Sequence, residues 1–200
     1  MQYQAKPLPF KPASLKGISD KTSITHDKLY QAYVAKKDQI QKELETVDLA
    51  TANQTFSSLR ALKDAETFAV NGAYLHEIYF AGLGGDGQAQ GSLIEQINKD
   101  FGSFEQFTSL AKACSLAARG WTVLAWDCFE ERLRLYNGDA HNQGGVWGAL
   151  PVLTIDVYEH AYFMDFGSDR KSYLDVLFQN LDWRAVDKRW QKVKNTSLRS

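Results

Sequence analysis

Gly82-Leu83-Gly84-Gly85-Asp86-Gly87 is the stretch on which the fold turns. Four glycines in six residues end any helix that runs into them, because glycine is the most costly residue to hold in regular structure. The pattern differs on the two sides. Upstream, Pro7, Pro9 and Pro12 mark residues 1–17 as an extended arm. From Ile18 to about Val47 the spacing of Ile24, Leu29, Tyr33, Ile40 and Leu44 predicts a helix, with Ser19 as its N-cap. After a break at 48–53, Phe56, Leu59, Leu62, Ala65, Phe68, Ala69, Leu75 and Tyr79 repeat the period. Two long helices with a short connection read as an antiparallel hairpin.

Downstream, helices are predicted over Ser92–Lys99 and Ser103–Ala118, the second opened by a Ser103-x-x-Gln106 capping box with Phe101 as its hydrophobic staple. The period then changes to two. Trp121–Asp127, Arg132–Tyr136 and Pro151–Asp156 read as strands, and Asn137-Gly138 as a turn. Helices return at 169–180 and 183–192. The expected class is therefore α+β: an N-terminal arm and α-helical hairpin over 1–83, and an α+β domain over 84–200 with a small three-stranded antiparallel sheet.

The 200 residues are 44% apolar and 24% charged, as in an ordinary folded protein, and 23 basic against 24 acidic side chains leave a net charge of −1. That balance lacks the basic excess of a nucleic-acid binder. No run approaches the roughly 18 apolar residues of a membrane span, and residues 1–15 lack the apolar core of a secretory signal. Two cysteines, Cys114 and Cys128, make no disulfide framework, so a cytoplasmic address is expected.

The histidines carry the chemistry. His76 lies on the apolar stripe of the second helix, and His26 lies in the first. Asp156 closes an apolar strand, where a lone carboxylate is expensive to desolvate without a partner, and His160 follows four residues later. Three imidazoles with one carboxylate suit iron or manganese better than zinc, and calcium or magnesium least. Each has a plainer reading, as a packed core histidine or a solvated loop carboxylate.

At these residues the chain resembles the iron/manganese superoxide dismutases. Asp156-Val157-Tyr158-Glu159-His160-Ala161-Tyr162 is similar to that family's D-V-W-E-H-A-Y segment. Asp100-Phe101-Gly102-Ser103-Phe104, Gly120-Trp121, Asn142-Gln143, Tyr173-Leu174 and Leu181-Asp182-Trp183 follow in the family's order. The resemblance implies one Mn or Fe ion per chain, with manganese slightly favoured by Gly72 paired with Gln143. It carries ligand roles onto His76, Asp156 and His160. Reading forward from Ile18 the remaining ligand falls on His26, whereas reading back from Ala32-Tyr33-Val34 it falls on Thr25. A threonine hydroxyl is a poor ligand, and His26 shares a helix face with Tyr33, so His26 is taken. The other possibility is a site lacking that ligand.

The resemblance further implies that Tyr33 borders the substrate channel, that Gln143 hydrogen-bonds the metal's solvent, that Trp121 lines the wall, and that Glu159 bridges a homodimer. Superoxide is the expected substrate, with Lys28 and Arg170 as candidates for steering the anion. Departures from the family pattern are Tyr158 for tryptophan, Phe163 for tyrosine, no histidine near Leu29–Tyr30, and a short Gln143–Asp156 segment. Two other readings are a non-haem iron oxygenase and a redox-silent relative acting as a structural or binding protein.

Overall fold

The structure, a computed structural model, describes residues 3–199. Ser19 caps α1 (Asp20–Leu44) by accepting the Thr22 N–H, and Ser57 caps α2 (Ser58–Ala81) by accepting that of Arg60. A single turn of 3-10 helix, Leu49–Thr51, lies in the connection, so the hairpin forms as expected. Its faces are rotated from the predicted stripe. Thr22, Ser23, His26, Tyr30, Val34, Lys37 and Ile40 are the buried residues of α1, while Ile24 is exposed and Phe56 precedes α2 in open loop. The inward face of α1 is thus largely polar, and apolar spacing alone misplaces it.

Beyond the glycines come α3 (Ser92–Phe101) and α4 (Phe104–Ala117), the latter capped by Ser103. Phe101 packs on Phe107 at 5.3 Å between ring centroids, as the predicted staple requires. The sheet, ordered β2-β1-β3 and wholly antiparallel, consists of β1 (Trp121–Asp127), β2 (Arg132–Gly138) and β3 (Ala149–Asp156). Asn137-Gly138, expected as a turn, instead pairs with Thr122 and Trp121 and belongs to β2. The true β1–β2 turn is at 128–131, where Glu131 takes a φ of 53°. A four-residue helix, α5 (Phe163–Phe166), leads to α6 (Arg170–Gln179) and α7 (Trp183–Val193), capped by Asp169 and Asp182.

The Gly82–Gly87 segment is bound to the α6–α7 connection. Gly84 and Gly85 donate to the Asn180 carbonyl and Gly87 to that of Leu181. A Cβ on Gly85 would lie 2.4 Å from the Cα of Asp182, so only glycine permits that approach. A single apolar core runs from Tyr30 and Val34 of the hairpin through Trp121 and Leu153 of the sheet to Trp183 and Trp190. Among the described residues no helix is long and apolar enough to cross a membrane.

Candidate metal centre

The sheet register places the first elements of the site. Trp121 opposes Asp156 on one side and Gly138 on the other, so β1, β3 and the exit of β2 converge at one sheet end. There the fully buried Asp156 meets the hairpin. Its Oδ2 lies 3.1 Å from His26 Nε2, 3.4 Å from His76 Nε2 and 3.1 Å from His160 Nε2. All four ligand atoms lie within 4.8 Å of one another. His26 is buried while Thr25 is exposed, and α1 runs unbroken through both, so the helix presents the imidazole to the cluster.

Protonation is constrained by the surroundings. His76 Nδ1 lies 2.5 Å from the Gly72 carbonyl, which can only accept, so the proton sits on Nδ1. Its Nε2 is then a bare lone pair, fully buried and without a hydrogen-bond partner, facing a carboxylate oxygen. Burial, with His26 nearby, pushes its pKa down to about 3. Burial lowers His26 as well, against the pull of Asp156. Burial would raise the Asp156 carboxyl, but His160 and His26 together hold it well below the usual range. Two facing lone pairs, buried at this distance, repel unless a cation lies between them. Three nitrogens and one oxygen then suit iron or manganese. Asp156 is further held by the Tyr158 N–H on Oδ1 and by the Tyr173 hydroxyl on its carbonyl.

Tyr33 forms the wall next to the cluster, its ring stacked on His76 at 5.4 Å. Gly72 makes that possible: a Cβ there would lie 2.8 Å from Tyr33 Cδ1. Trp121 meets His76 edge-on at 5.1 Å. Gln143, expected at the metal's solvent, is exposed on the loop after β2. The side chain that the loop turns inward is His141, two residues earlier and 4% exposed. His141 Nδ1 accepts from Trp121 Nε1 at 2.9 Å, and its Nε2 lies 2.8 Å from the Tyr33 hydroxyl. Burial lowers its pKa to about 4, so the ring is neutral with its proton on Nε2. His141, the one histidine outside the expected ligand set, is the residue that sequence reading missed. Its signal was a histidine in a short loop returning to the strand that ends in Asp156.

Tyr158, in the family's tryptophan position, stacks on His160 at 5.2 Å and meets His141 at 4.9 Å. Arg170 is not free to steer an anion: its guanidinium donates to the carbonyls of Ser115 and Ala118 and to the Tyr162 hydroxyl. Lys28 is exposed on α1, and Glu159 is exposed beside His160.

Comparisons with known proteins agree with this geometry. Residues 89–189 match the model of the iron/manganese superoxide dismutase C-terminal domain. An iron superoxide dismutase of Aquifex aeolicus is 40% identical, covering 91% of this chain and 88% of the relative. One of Cupriavidus metallidurans, also of the iron type, is 36% identical over 95% and 97% of the two chains. A manganese superoxide dismutase of Haloferax volcanii is 32% identical over 96% and 97%. Helical hairpin, three-stranded sheet and buried histidine–aspartate cluster thus occur in a chain that belongs to the iron/manganese superoxide dismutases.

Proposed function

We propose that this chain is a superoxide dismutase, an oxidoreductase that turns superoxide into dioxygen and hydrogen peroxide at one iron or manganese ion. The observation that carries this is the bare, buried Nε2 of His76 set against Asp156 Oδ2, with His26 and His160 within reach. His26, His76, Asp156 and His160 would hold the ion. Bound iron or manganese supplies the one-electron couple that dismutation needs. Asp156 contributes the only protein charge, and the neutral imidazoles keep the site's total low in both oxidation states.

Proton delivery belongs to Tyr33 and His141. Trp121 Nε1–H can only donate, which makes His141 Nδ1 an acceptor and leaves its Nε2–H to donate to the Tyr33 oxygen. The Tyr33 hydroxyl proton is thereby free to point toward the substrate. Burial, helped by Tyr158 and Asp156, raises that phenol to about 12, so it stays protonated and able to donate. His141, not Gln143, is the loop side chain beside Tyr33, and both its ring nitrogens are taken, by Trp121 and by Tyr33. The ion is iron or manganese, with the slight manganese preference from Gly72 and Gln143 left as an expectation.

We further propose a homodimer across the face that carries Glu159. Phe163 and Met164 are exposed there, and Ile24 is exposed on the start of α1, which Asp165 Oδ2 ties to α5 through the Ser19 N–H. A cytoplasmic setting accords with the two free thiols. Metal analysis of the purified protein, with a superoxide-consumption assay of wild type and His76→Ala, tests the reading. Stoichiometric iron or manganese and rapid consumption, both lost in the variant, are expected. A loaded wild type that leaves superoxide untouched would favour the redox-silent alternative.

A further inference from the structure

Behind the cluster runs a line of tyrosines that dismutation does not use. Tyr30, one turn beyond His26 on α1, is 1% exposed, and its ring lies nearly parallel to that of His76 with centroids 6.5 Å apart. Its hydroxyl accepts the Lys6 backbone N–H at 3.1 Å and sits 3.3 Å from the Tyr3 hydroxyl. Tyr3 donates to Glu77 Oε2 at 2.5 Å, while Lys6 Nζ holds Oε1 at 2.6 Å. The Tyr3 ring meets Tyr74 edge-on at 5.0 Å. Tyr74 is exposed, and both rings line a cavity of about 750 Å³. Aromatic rings therefore succeed one another from a metal-holding imidazole to solvent.

Not every phenol on this line can be oxidised with equal ease. A phenol that loses an electron becomes a strong acid, so a base already hydrogen-bonded to it lowers the barrier by taking the proton as the electron leaves. The Tyr30 hydroxyl faces a backbone N–H and another phenol, neither of them a base. Tyr3 has a carboxylate at short hydrogen-bond distance, in a charge-assisted contact. An arm that was merely anchored would need the hydrogen bonds of Tyr3 and Lys6, but no phenol ring laid against a metal-holding histidine.

We propose that Tyr30 and Tyr3 are a redox-active pair that supplies an electron to the metal centre when hydrogen peroxide, the product of the dismutase reaction inferred above, attacks it. The pair rests on that reading for its oxidant. In the step, the peroxide O–O bond breaks and the molecule takes up two electrons and two solvent protons, leaving as two waters. One electron comes from the reduced ion and the other from Tyr3 by way of Tyr30. The Tyr3 O–H bond breaks, its proton passes to Glu77 Oε2, and a neutral tyrosyl radical remains. Superoxide then restores the pair: it gives one electron to the radical and leaves as dioxygen, while Glu77 returns the proton. Oxidising equivalents thus leave the site without consuming its histidines.

The experiment uses iron-loaded full-length enzyme, its dismutation rate measured on the same preparation. Samples treated with hydrogen peroxide are freeze-quenched for electron paramagnetic resonance, and the protein is mapped for oxidised residues. Wild type is expected to give an organic radical whose hyperfine pattern changes with ring-deuterated tyrosine. Tyr3→Phe is expected to keep the dismutation rate within error, with a melting temperature lowered by the loss of the Glu77 contact. It should lose most of that radical, be inactivated by peroxide several-fold faster, and show oxidation moved onto His26, His76 or His160. Tyr30→Phe, which keeps the ring but removes the hydroxyl contact, is expected to lose the radical too. An active wild type that forms no tyrosyl radical overturns the pair, as does a radical undiminished in Tyr3→Phe. An inactive wild type carrying iron overturns the dismutase reading instead.

Discussion

The two sides of the site are built by different means. The ion-holding side comes from regular elements: His26 on α1, His76 on α2, Asp156 at the end of β3, and His160 in the turn that follows. Backbone ladders and the core fix those positions, and removing any one group leaves buried charge or lone pairs uncompensated. The proton-delivering side hangs on the loop after β2, where His141 is held by side-chain hydrogen bonds to Trp121 and Tyr33. On the function proposed above, the first side decides whether an ion binds and the second how fast protons arrive, and substitutions can separate them.

The largest effect belongs to Asp156→Asn, which removes the only carboxylate from the buried cluster. Metal content and superoxide consumption should both vanish. Removing one partner from such a buried set costs about 3–5 kcal/mol, so the metal-free variant should unfold well below the loaded wild type. His141→Ala should split the two sides. Metal content stays at the wild-type level while the Trp121 N–H and the Tyr33 hydroxyl lose their partner, a penalty of about 1–3 kcal/mol. If that penalty falls on proton delivery, kcat/KM drops by about tenfold or more, since about 1.4 kcal/mol is a factor of ten. Loss of metal in this variant would merge the two sides into one.

Gly72→Ala tests the seam between them. The new methyl would press on the Tyr33 ring, and overpacking of this kind costs about 1–3 kcal/mol, against a helix-propensity gain of about 1 kcal/mol. A modestly lowered melting temperature, normal metal content and a reduced rate are expected, because the tilted phenol no longer reaches His141 Nε2. An unchanged rate would mean that the alignment of Tyr33 with His141 is dispensable.

Legibility in the sequence follows the same division. Helix caps at Ser19 and Ser103, the three strands, and the Asp156–His160 segment were readable because local periodicity and fixed spacing produce them. The inward face of α1 was not: Thr22, Ser23, His26 and Lys37 are buried there for reasons of site building and arm docking, which apolar spacing cannot register. Gln143 came from the family resemblance alone, and His141 carried no periodic signal of its own. In an irregular loop no period says which side chain turns inward, and Gly144, with a φ of 87°, lets the chain turn so that position 141 is covered.

Acid should reveal both sides in the metal-free protein. Burial holds His76 at about 3 and His141 at about 4, below the ordinary 6.5. The unfolded chain therefore binds protons below pH 6.5 that the fold refuses, and stability falls as pH drops from 6.5 toward 4. Unfolding midpoints over that window should fall less steeply in His141→Gln, because one refusing group is gone while His26 and His76 remain. An equal slope in the two proteins would place the pH dependence wholly on the ion-holding side.

The smallest effect separates the two neighbours on the loop. Gln143 is exposed, and its backbone N–H, bonded to the Ala140 carbonyl, does not depend on the side chain. Gln143→Ala should therefore stay within about 0.5 kcal/mol of wild type in stability and keep its rate. Its value lies in the pairing with His141→Ala, since the two positions share one short loop and differ chiefly in which way the side chain points. A rate loss at 143 matching that at 141 would mean that the loop as a whole, rather than the imidazole, sets proton delivery. A loss confined to 141 ties that function to a ring donating from Nε2 to Tyr33 while Trp121 holds its Nδ1.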